Sequence, residues 1–599
     1  MIVPMKKINI VVQSKDTPDA LEQLSSLGLV HVENVEPPHS QAVDEVQKDM
    51  YMISKAIEIL PPAAEDSSRG KIEDWGKIIN EILDLRDYRS KLAEKSGKLQ
   101  RHIDIWDDWG DFDISLIRRL MSKDVYVYLA ELPVKEFNSL PPDIFVEVIS
   151  KSSGLIRCAL ISGGEREFSF KTAVLPDKRL SEVWAEKKEI EDKISETNRS
   201  LEDYARYRNE LKMMLGHLAK EIEFEKASAG MGSQGELSYL KGYSPFDKVG
   251  DLENAAEKNN WAVLAEDPAA GDNVPTLIKN PKWIEIISPV FNIIKTVPGY
   301  REVDISVVFL LFFSVFFAML IGDAGYGALI LAAVIFLSVK SGNKMKDKTP
   351  LFLMYVLSIA TIIWGVLTGT VFGQVWIKQT FKPLMPWLTV DSNMKELCFI
   401  IGAVQLTIAH VWQAARKMPS VIFIADLGWV SVIWGAFFLA RTFIVGTEFP
   451  VFAGWFFACG ISAVLFFTVP FKSFFKDLFP RLITTFLSII GSFSDVVSYI
   501  RLFAVGMASV AIADAFNQMA EGFGWSSAVT GLATVLVLLI GHGLNIVLGA
   551  MAVLVHGVRL NVLEFSNHLN MEWSGVEYNP FKGERADLIK NKLEIGGRE

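Results

Sequence analysis

Two arginines sit where arginine is costly. Arg501 falls about 18 residues, or ~27 Å of helix, from either end of a long apolar segment. At the centre of a bilayer such a side chain costs at least ~2.5–3.5 kcal/mol. Arg559 lies in a second such segment, in the run from His556 to Glu564. At ~100° per residue, Ser494, Ser498, Arg501, Val505 and Ser509 share about a quarter of the first helix's circumference. Asn545, Gly549, Ala552, His556, Arg559 and Asn567 do the same on the second. Each helix therefore presents one polar, small-residue stripe, and the remaining faces are Leu, Val, Ile and Phe. A structural salt bridge is the plainer reading, and it weighs more for Arg559 than for Arg501. The helical wheel turns Asp495 about a third of a turn from Arg501 and puts Glu564 toward the end of its helix. The expectation is that Arg501 has no acid in its own chain and that its partner arrives from another chain.

The elements that position these residues follow from composition. Half of the 599 residues are hydrophobic, yet charge is concentrated before Arg301. After Asp304 come apolar stretches at 305–321, 325–340, 351–372, 396–413, 422–441, 450–470, 482–519 and 527–569. Uninterrupted runs of that kind suit a bilayer. The last two are too long for a perpendicular span, so they must tilt, bend or extend beyond it. Basic loops at Lys340, Lys344, Lys346 and Lys348, at Arg416 and Lys417, and at Lys472, Lys476 and Arg481 place those ends in the cytoplasm, although Lys378, Lys382 and Lys395 blur the contrast. The first two segments meet through Gly322, Asp323, Ala324, Gly325, Tyr326 and Gly327, where Asp323 is read as a helix cap rather than an ion ligand.

The preceding half reads as soluble. A strand at Lys7–Val12, a helix opened by Thr17 and Pro18 and closed by Gly28, and a strand at Leu29–Val32 make a small β-α-β lobe. Further strand-like runs lie at 125–129, 144–149 and 237–240. Two helical arms flank them. The first, from Lys71 to about Ile105, carries Ile78, Ile82, Leu85, Leu92, Leu99 and Ile103; the second, from Lys178 to Ala227, keeps a heptad seam from Val183 to Ile222. Two such helices with a lobe between them predict an antiparallel coiled-coil hairpin.

Some chemistry has no counterpart in the sequence. No GxxxxGK[ST] run offers a phosphate loop, so any ATP-driven work needs another chain to hydrolyse the ATP. Cys158, Cys398 and Cys459 lack the spacing of a metal or disulfide framework. The diffuse formal charge of −10 gives no nucleic-acid footprint. No cofactor or metal site is expected.

Three stretches carry a family resemblance: Val274 to Tyr300–Asp304, the Gly322–Gly327 hairpin, and Ser498-Tyr-Ile-Arg501-Leu-Phe-Ala. They resemble the a subunit, called I in prokaryotes, of V-type and A-type rotary ATPases, and the His556–Glu564 run is similar to that family's eighth helix. The resemblance implies a polytopic α-helical membrane protein of about eight transmembrane helices, with an N-terminal cytoplasmic α+β domain containing the long coiled coil. It implies a stator arm over 1–303, an ion-translocating domain over 304–570 and a cytoplasmic tail over 571–599. Arg501 matches the arginine that faces a ring of proteolipid subunits, and Arg559 the supporting one. Ser494, Ser498, Ser509, Asn545, His556 and Glu564 complete the expected ion-translocation set. The sequence departs from the eukaryotic pattern at Ser509, where a histidine is frequent, and at Gly549, where an acid is frequent. Implied partners are the proteolipid c-ring, peripheral stalk subunits, the central stalk socket, the soluble ATPase sector and membrane lipid, at the plasma membrane with both termini cytoplasmic. The implied activity is H⁺ or Na⁺ translocation coupled to ATP hydrolysis or synthesis, in a chain that is itself non-catalytic. A secondary ion transporter with a coiled-coil regulatory domain is the rival reading, against which the sequence offers no inverted repeat.

Overall fold

The computed structural model describes residues 1–62, 74–152, 154–341, 345, 347–374, 382–468 and 478–585. Lys71, Lys344, Lys346, Lys378, Lys472, Lys476 and the tail from 586 onward lie outside the described residues. Contacts divide the chain into two units. One comprises Met1–Ile8, Tyr243–Asp251 and Ala265–Asn579; the other comprises Asn9–Gly242, Leu252–Leu264 and Pro580–Glu599.

The second of these holds the arm. The strands of the chain's first half are β1 (Met5–Gln13), β2 (His31–Glu33), β3 (Tyr126–Pro133), β4 (Phe145–Ser152), β5 (Leu155–Ser162), β6 (Thr172–Ala173), β7 (Gly232–Gln234), β8 (Leu237–Pro245) and β9 (Ala262–Glu266); β1, β8 and β9 are divided between the units. One sheet runs β2-β8-β1-β9 with β7 beside β8, and the other runs β4-β5-β3-β6. The helix Thr17–Leu27 ends at Gly28 as its sequence predicts, in the left-handed region at φ 60°. Strand β5 was not expected. It pairs antiparallel with β3 and seals a core of Leu132, Ile156, Cys158 and Leu160.

The helices Trp75–Trp106 and Leu180–Tyr204 run antiparallel. Tyr204 donates to Glu81 at 2.7 Å, Arg89 meets Asn198 at 3.4 Å and Lys95 meets Glu186 at 2.7 Å, so numbers rise on one helix as they fall on the other. The second arm is not continuous. A 3-10 turn at Ala205–Tyr207 breaks it, and Arg208–Ala229 packs instead on Gln41–Ile59, a helix the heptad search passed over. Ser40 caps that helix by accepting the Val43 amide. The seam is thus shared: Leu201, Leu211 and Leu218 join Val46, Ile53, Ile79 and Ile82 in one buried cluster. Beyond the membrane half, the chain returns to this unit. The Phe581 amide donates to the Val30 carbonyl at 2.8 Å, and Lys220 pairs with Glu584 at 2.8 Å.

In the other unit, helices occupy all eight apolar stretches: Ser306–Ile321, Ala324–Ser341, Thr349–Thr368, Asp391–Lys417, Phe423–Ala440, Val451–Phe467, Leu478–Ser498 with Ile500–Phe523, and Ala528–Ala552 with its continuation to His568. They are numbered first to eighth below. Among the described residues, five are long and apolar enough to cross a membrane: the third, fourth, fifth, seventh and eighth. The first and second pass that test only as a pair, bent by 118°, and the sixth is a shorter apolar helix. Gly322, at φ 70°, supplies the left-handed turn at the bend, and Gly369, also at φ 70°, ends the third helix before its expected limit at 372. The seventh and eighth extend over 42 and 41 residues. That is about 60 Å each, twice the ~30 Å hydrocarbon layer. Phe309, Phe313 and Phe316 of the first helix pack with Leu502, Leu560 and Phe565 in one core.

Leu211 is fully buried in the arm cluster. Leu211→Asp places an uncompensated charge there, and a loss of roughly 3 kcal/mol or more is expected. Proteolysis of the purified chain should then cut within 41–59 and 208–229 while the membrane helices stay protected; unchanged resistance would show that the shared seam does not hold the arm.

Candidate functional site

Arg501 does have an acid in its own chain. Its Nη2 lies 2.5 Å from Glu564 Oε1, and its Nε donates to the Ser498 carbonyl at 2.9 Å. Arg559 Nε approaches the same Glu564 oxygen at 3.4 Å. The carboxylate is 5 % exposed, against 24 % for the Arg501 side chain and 55 % for Arg559. Glu564 Oε2 is buried and accepts no hydrogen bond from the described residues. The expectation of an unpartnered Arg501 is therefore corrected. In the sequence Glu564 reads as lying toward the end of its helix; the eighth helix widens there into π turns, at Val553–Gly557 and Leu560–Phe565, and Glu564 sits in the second of them.

A buried hydrogen-bond chain fixes this register. The Tyr499 hydroxyl, at the break between the two halves of the seventh helix, donates to Gln405 Oε1 at 2.8 Å. Gln405 Nε2 donates to Asn561 Oδ1 at 2.9 Å, and Asn561 Nδ2 donates to the Gly557 carbonyl at 3.0 Å. Tyr499, Gln405 and Asn561 are all fully buried. At about 1 kcal/mol net per bond, the chain ties the fourth, seventh and eighth helices at the level of the two arginines.

Polar groups continue on both sides of Arg501. After it, Ser509 Oγ donates to Asn545 Oδ1 at 3.2 Å, and Asn545 Nδ2 donates to the Tyr326 hydroxyl at 3.0 Å. Tyr326 Oη meets His542 Nδ1 at 2.7 Å, and His542 Nε2 meets Asn517 Oδ1 at 3.1 Å. Ser509 and Asn545 are thus brought together as expected, whereas Tyr326, His542 and Asn517 were missed. Before Arg501, His410 Nε2 meets His568 Nδ1 at 2.8 Å, and His568 Nε2 meets Asp495 Oδ2 at 3.1 Å. These three line a cavity of about 430 Å³ together with Gln413, Lys417 and Asp426. Asp495 turns from Arg501 as the wheel predicts, but toward His568. The sequence signal for this group was the histidines themselves, isolated in otherwise apolar helices.

Other expected residues stand apart. Ser494 is exposed, and the Ser498 hydroxyl donates to the Asp495 carbonyl of its own helix. His556 is half-buried, with Nδ1 unpartnered among the described residues. Asn545 and Gly549, read as part of a water-lined stripe, are buried. A Cβ on Gly549 would lie 2.8 Å from the Ile321 side chain, so that stretch faces packed protein.

Asp323 caps as its sequence suggests and does more. Its Oδ1 accepts the amides of Gly325 at 2.7 Å, Tyr326 at 3.3 Å and Phe372 at 2.8 Å, and its Oδ2 accepts that of Gly373 at 3.0 Å. One buried carboxylate thereby clamps the elbow between the first two helices to the loop after the third, and sets the position of Tyr326.

A curated relative, the V-type ATP synthase subunit I of Borreliella burgdorferi, is 33 % identical over 97 % of this chain and 99 % of its own length. The chain belongs to the V-type/A-type ATP synthase subunit I family. V-type ATP synthase subunit I 1 of Treponema pallidum is 29 % identical over 97 % of the chain and all of its own length. A-type ATP synthase subunit I of Methanocaldococcus jannaschii is 24 % identical over 68 % of the chain and 64 % of its own. No family model matches. A crystal structure of the cytoplasmic N-terminal domain of a subunit I covers 43 % of the chain at 11 % identity and a TM-score of 0.21. As a subunit I, this chain is a membrane subunit of a rotary ATPase and works with other ATPase subunits.

Replacing Asp323 by alanine strands four backbone donors in the subunit I elbow. At ~1–3 kcal/mol for each buried unsatisfied group, a loss of several kcal/mol is expected. Thermal unfolding in detergent measures it; an unchanged midpoint would mean that the amides find other partners.

Proposed function

We propose that this chain is the stator of the rotary ATPase, forming the ion path against a rotor ring of carboxylate-bearing proteolipids. The observation that carries the reading is the pair of arginines converging on one fixed carboxylate, midway along the seventh helix and toward the end of the eighth. Arg501, one quarter exposed, exchanges Glu564 for each passing rotor carboxylate. While it does so, Arg559 keeps Glu564 from being left as a lone buried charge. An arginine beside a carboxylate favours the ionised form. The rotor group therefore gives up its ion on reaching Arg501.

The polar groups on either side act as two half-channels. Asp495 precedes Arg501 by six residues and Ser509 follows it by eight, about 9 and 12 Å along the helix. The cavity of His410, His568 and Asp495 serves the cytoplasmic side, and the Ser509–Asn545–Tyr326–His542–Asn517 chain serves the other. Arg501 stands between them and blocks a direct leak, so ions cross only by riding the ring. The eight helical segments span the plasma membrane with both termini cytoplasmic, the bent first pair and the short sixth helix included. The antiparallel arm works as a coiled coil that passes torque to peripheral stalks of the ATPase sector, while the ring engages the central stalk socket.

Lysine keeps the charge of arginine but not its planar, weakly hydrated fork. Arg501→Ala and Arg501→Lys should both assemble yet lose ATP-driven ion transport in vesicles. Arg559→Ala should be milder, since that side chain is more exposed and lies farther from Glu564. Wild-type pumping by Arg501→Ala would sink the reading.

A further inference from the structure

A second cavity, of about 350 Å³, opens where the fourth helix ends and the first begins. Its walls carry Arg301, Arg416 and Lys417, with Glu302, Gln413 and Asn570 between them and Leu569 and Met571 as apolar surface. Neither arginine has an acid partner among the described residues. Arg301 Nη2 donates to the Ala269 carbonyl at 2.6 Å, and Arg416 Nη2 reaches the Arg301 carbonyl at 3.5 Å. Glu302 keeps its negative charge while its oxygens accept the amides of Gly299 at 2.7 Å and Glu572 at 2.5 Å, so it offsets one of the two guanidinium charges. Lys417 is held by Asp426 at 2.9 Å. Asp272 lies close enough to Arg301 to feel its charge, but Lys7 binds it and is the main reason its carboxyl sits below the usual range. The cavity therefore keeps two guanidinium groups and one net positive charge. That charge exceeds the partial negative charge of the helix end, about half a unit.

We infer that this cavity binds the phosphate of an anionic phospholipid headgroup. Two guanidinium forks match phosphate oxygens in charge and in planar geometry. Arg416 and Lys417 form the last turn of Asp391–Lys417, a candidate span, and Arg301 precedes the start of the first helix at Ser306. Residues at that level meet the headgroup layer, where basic pockets between helices collect anionic lipid. Buried Leu569 and Met571 offer the glycerol and upper acyl chain an apolar wall. A soluble phosphate shares the headgroup's chemistry but gains nothing from that wall. The site can fill whether or not Arg501 meets a rotor carboxylate.

The test is lipid retention by the full-length chain in nanodiscs of phosphatidylcholine doped with phosphatidylglycerol, read by native mass spectrometry after release. The double variant Arg301→Gln/Arg416→Gln should lower phosphatidylglycerol retention at least about tenfold, since each cation near an anionic surface contributes appreciably. Arg118→Gln/Arg119→Gln, with the same change in net charge on the arm, should leave it unchanged. Equal retention by the cavity variant and the wild type, or equal loss in both variants, would overturn the proposal. So would displacement of the lipid by inorganic phosphate at millimolar concentration, which would identify a soluble ligand instead.

Discussion

A guanidinium held in the middle of an apolar helix has to be neutralised, and the membrane unit is organised around how Arg501 is. Glu564 supplies the charge from sixty-three positions away. Breaking a buried pair of this kind typically costs 3–5 kcal/mol, because the survivor keeps its charge without its solvent. In that arrangement the eighth helix departs from α geometry twice within thirteen residues, in two π turns of which the second carries Glu564. They hold because Asn561, Gln405 and Tyr499 lock the widened turn to two neighbouring helices.

Close approach makes the lock possible. In lipid, helices gain little from burying apolar surface against each other, so small residues and interhelical hydrogen bonds carry the association. A Cβ on Gly402 would fall 2.5 Å from the Tyr499 ring, and one on Gly506 would fall 2.5 Å from the Met319 carbonyl. Both positions bring the seventh helix against backbone. The same closeness lets Gln405, one turn beyond Gly402, reach across to Asn561. Asp323 repeats the logic at the elbow, where one carboxylate ties the first turn of the second helix to the loop after the third by accepting amides from both.

Much of this was legible in the sequence where the signal was local. Apolar length located the eight long helical segments described in the membrane half, Gly28 and Gly322 marked turns, and the cost of burial singled out Arg501 and Arg559. Asp323 read correctly as a cap because capping depends only on neighbours in the chain. What depended on long-range geometry was not legible. The pairing of Glu564 with Arg501 was missed because Glu564 reads as lying toward the end of its own helix, and no local signal shows which level of the seventh helix faces it. The His410–His568–Asp495 group joins residues up to 158 positions apart, and no periodicity links them. In the arm, the heptad seam was visible but not its division between two partner helices, although Gln41–Ile59 carries Val43, Val46, Met50, Ile53 and Ile57 at the same alternating steps of three and four.

The central claim is that Arg501 meets a carboxylate from outside the chain. Imaging the purified complex at helix resolution tests it most directly. The account predicts a ring of small helical subunits abutting the seventh and eighth helices at the level of Arg501, with the third to sixth helices turned away from it. A ring that contacts the fifth and sixth helices instead, or a complex that purifies with no ring, would contradict it.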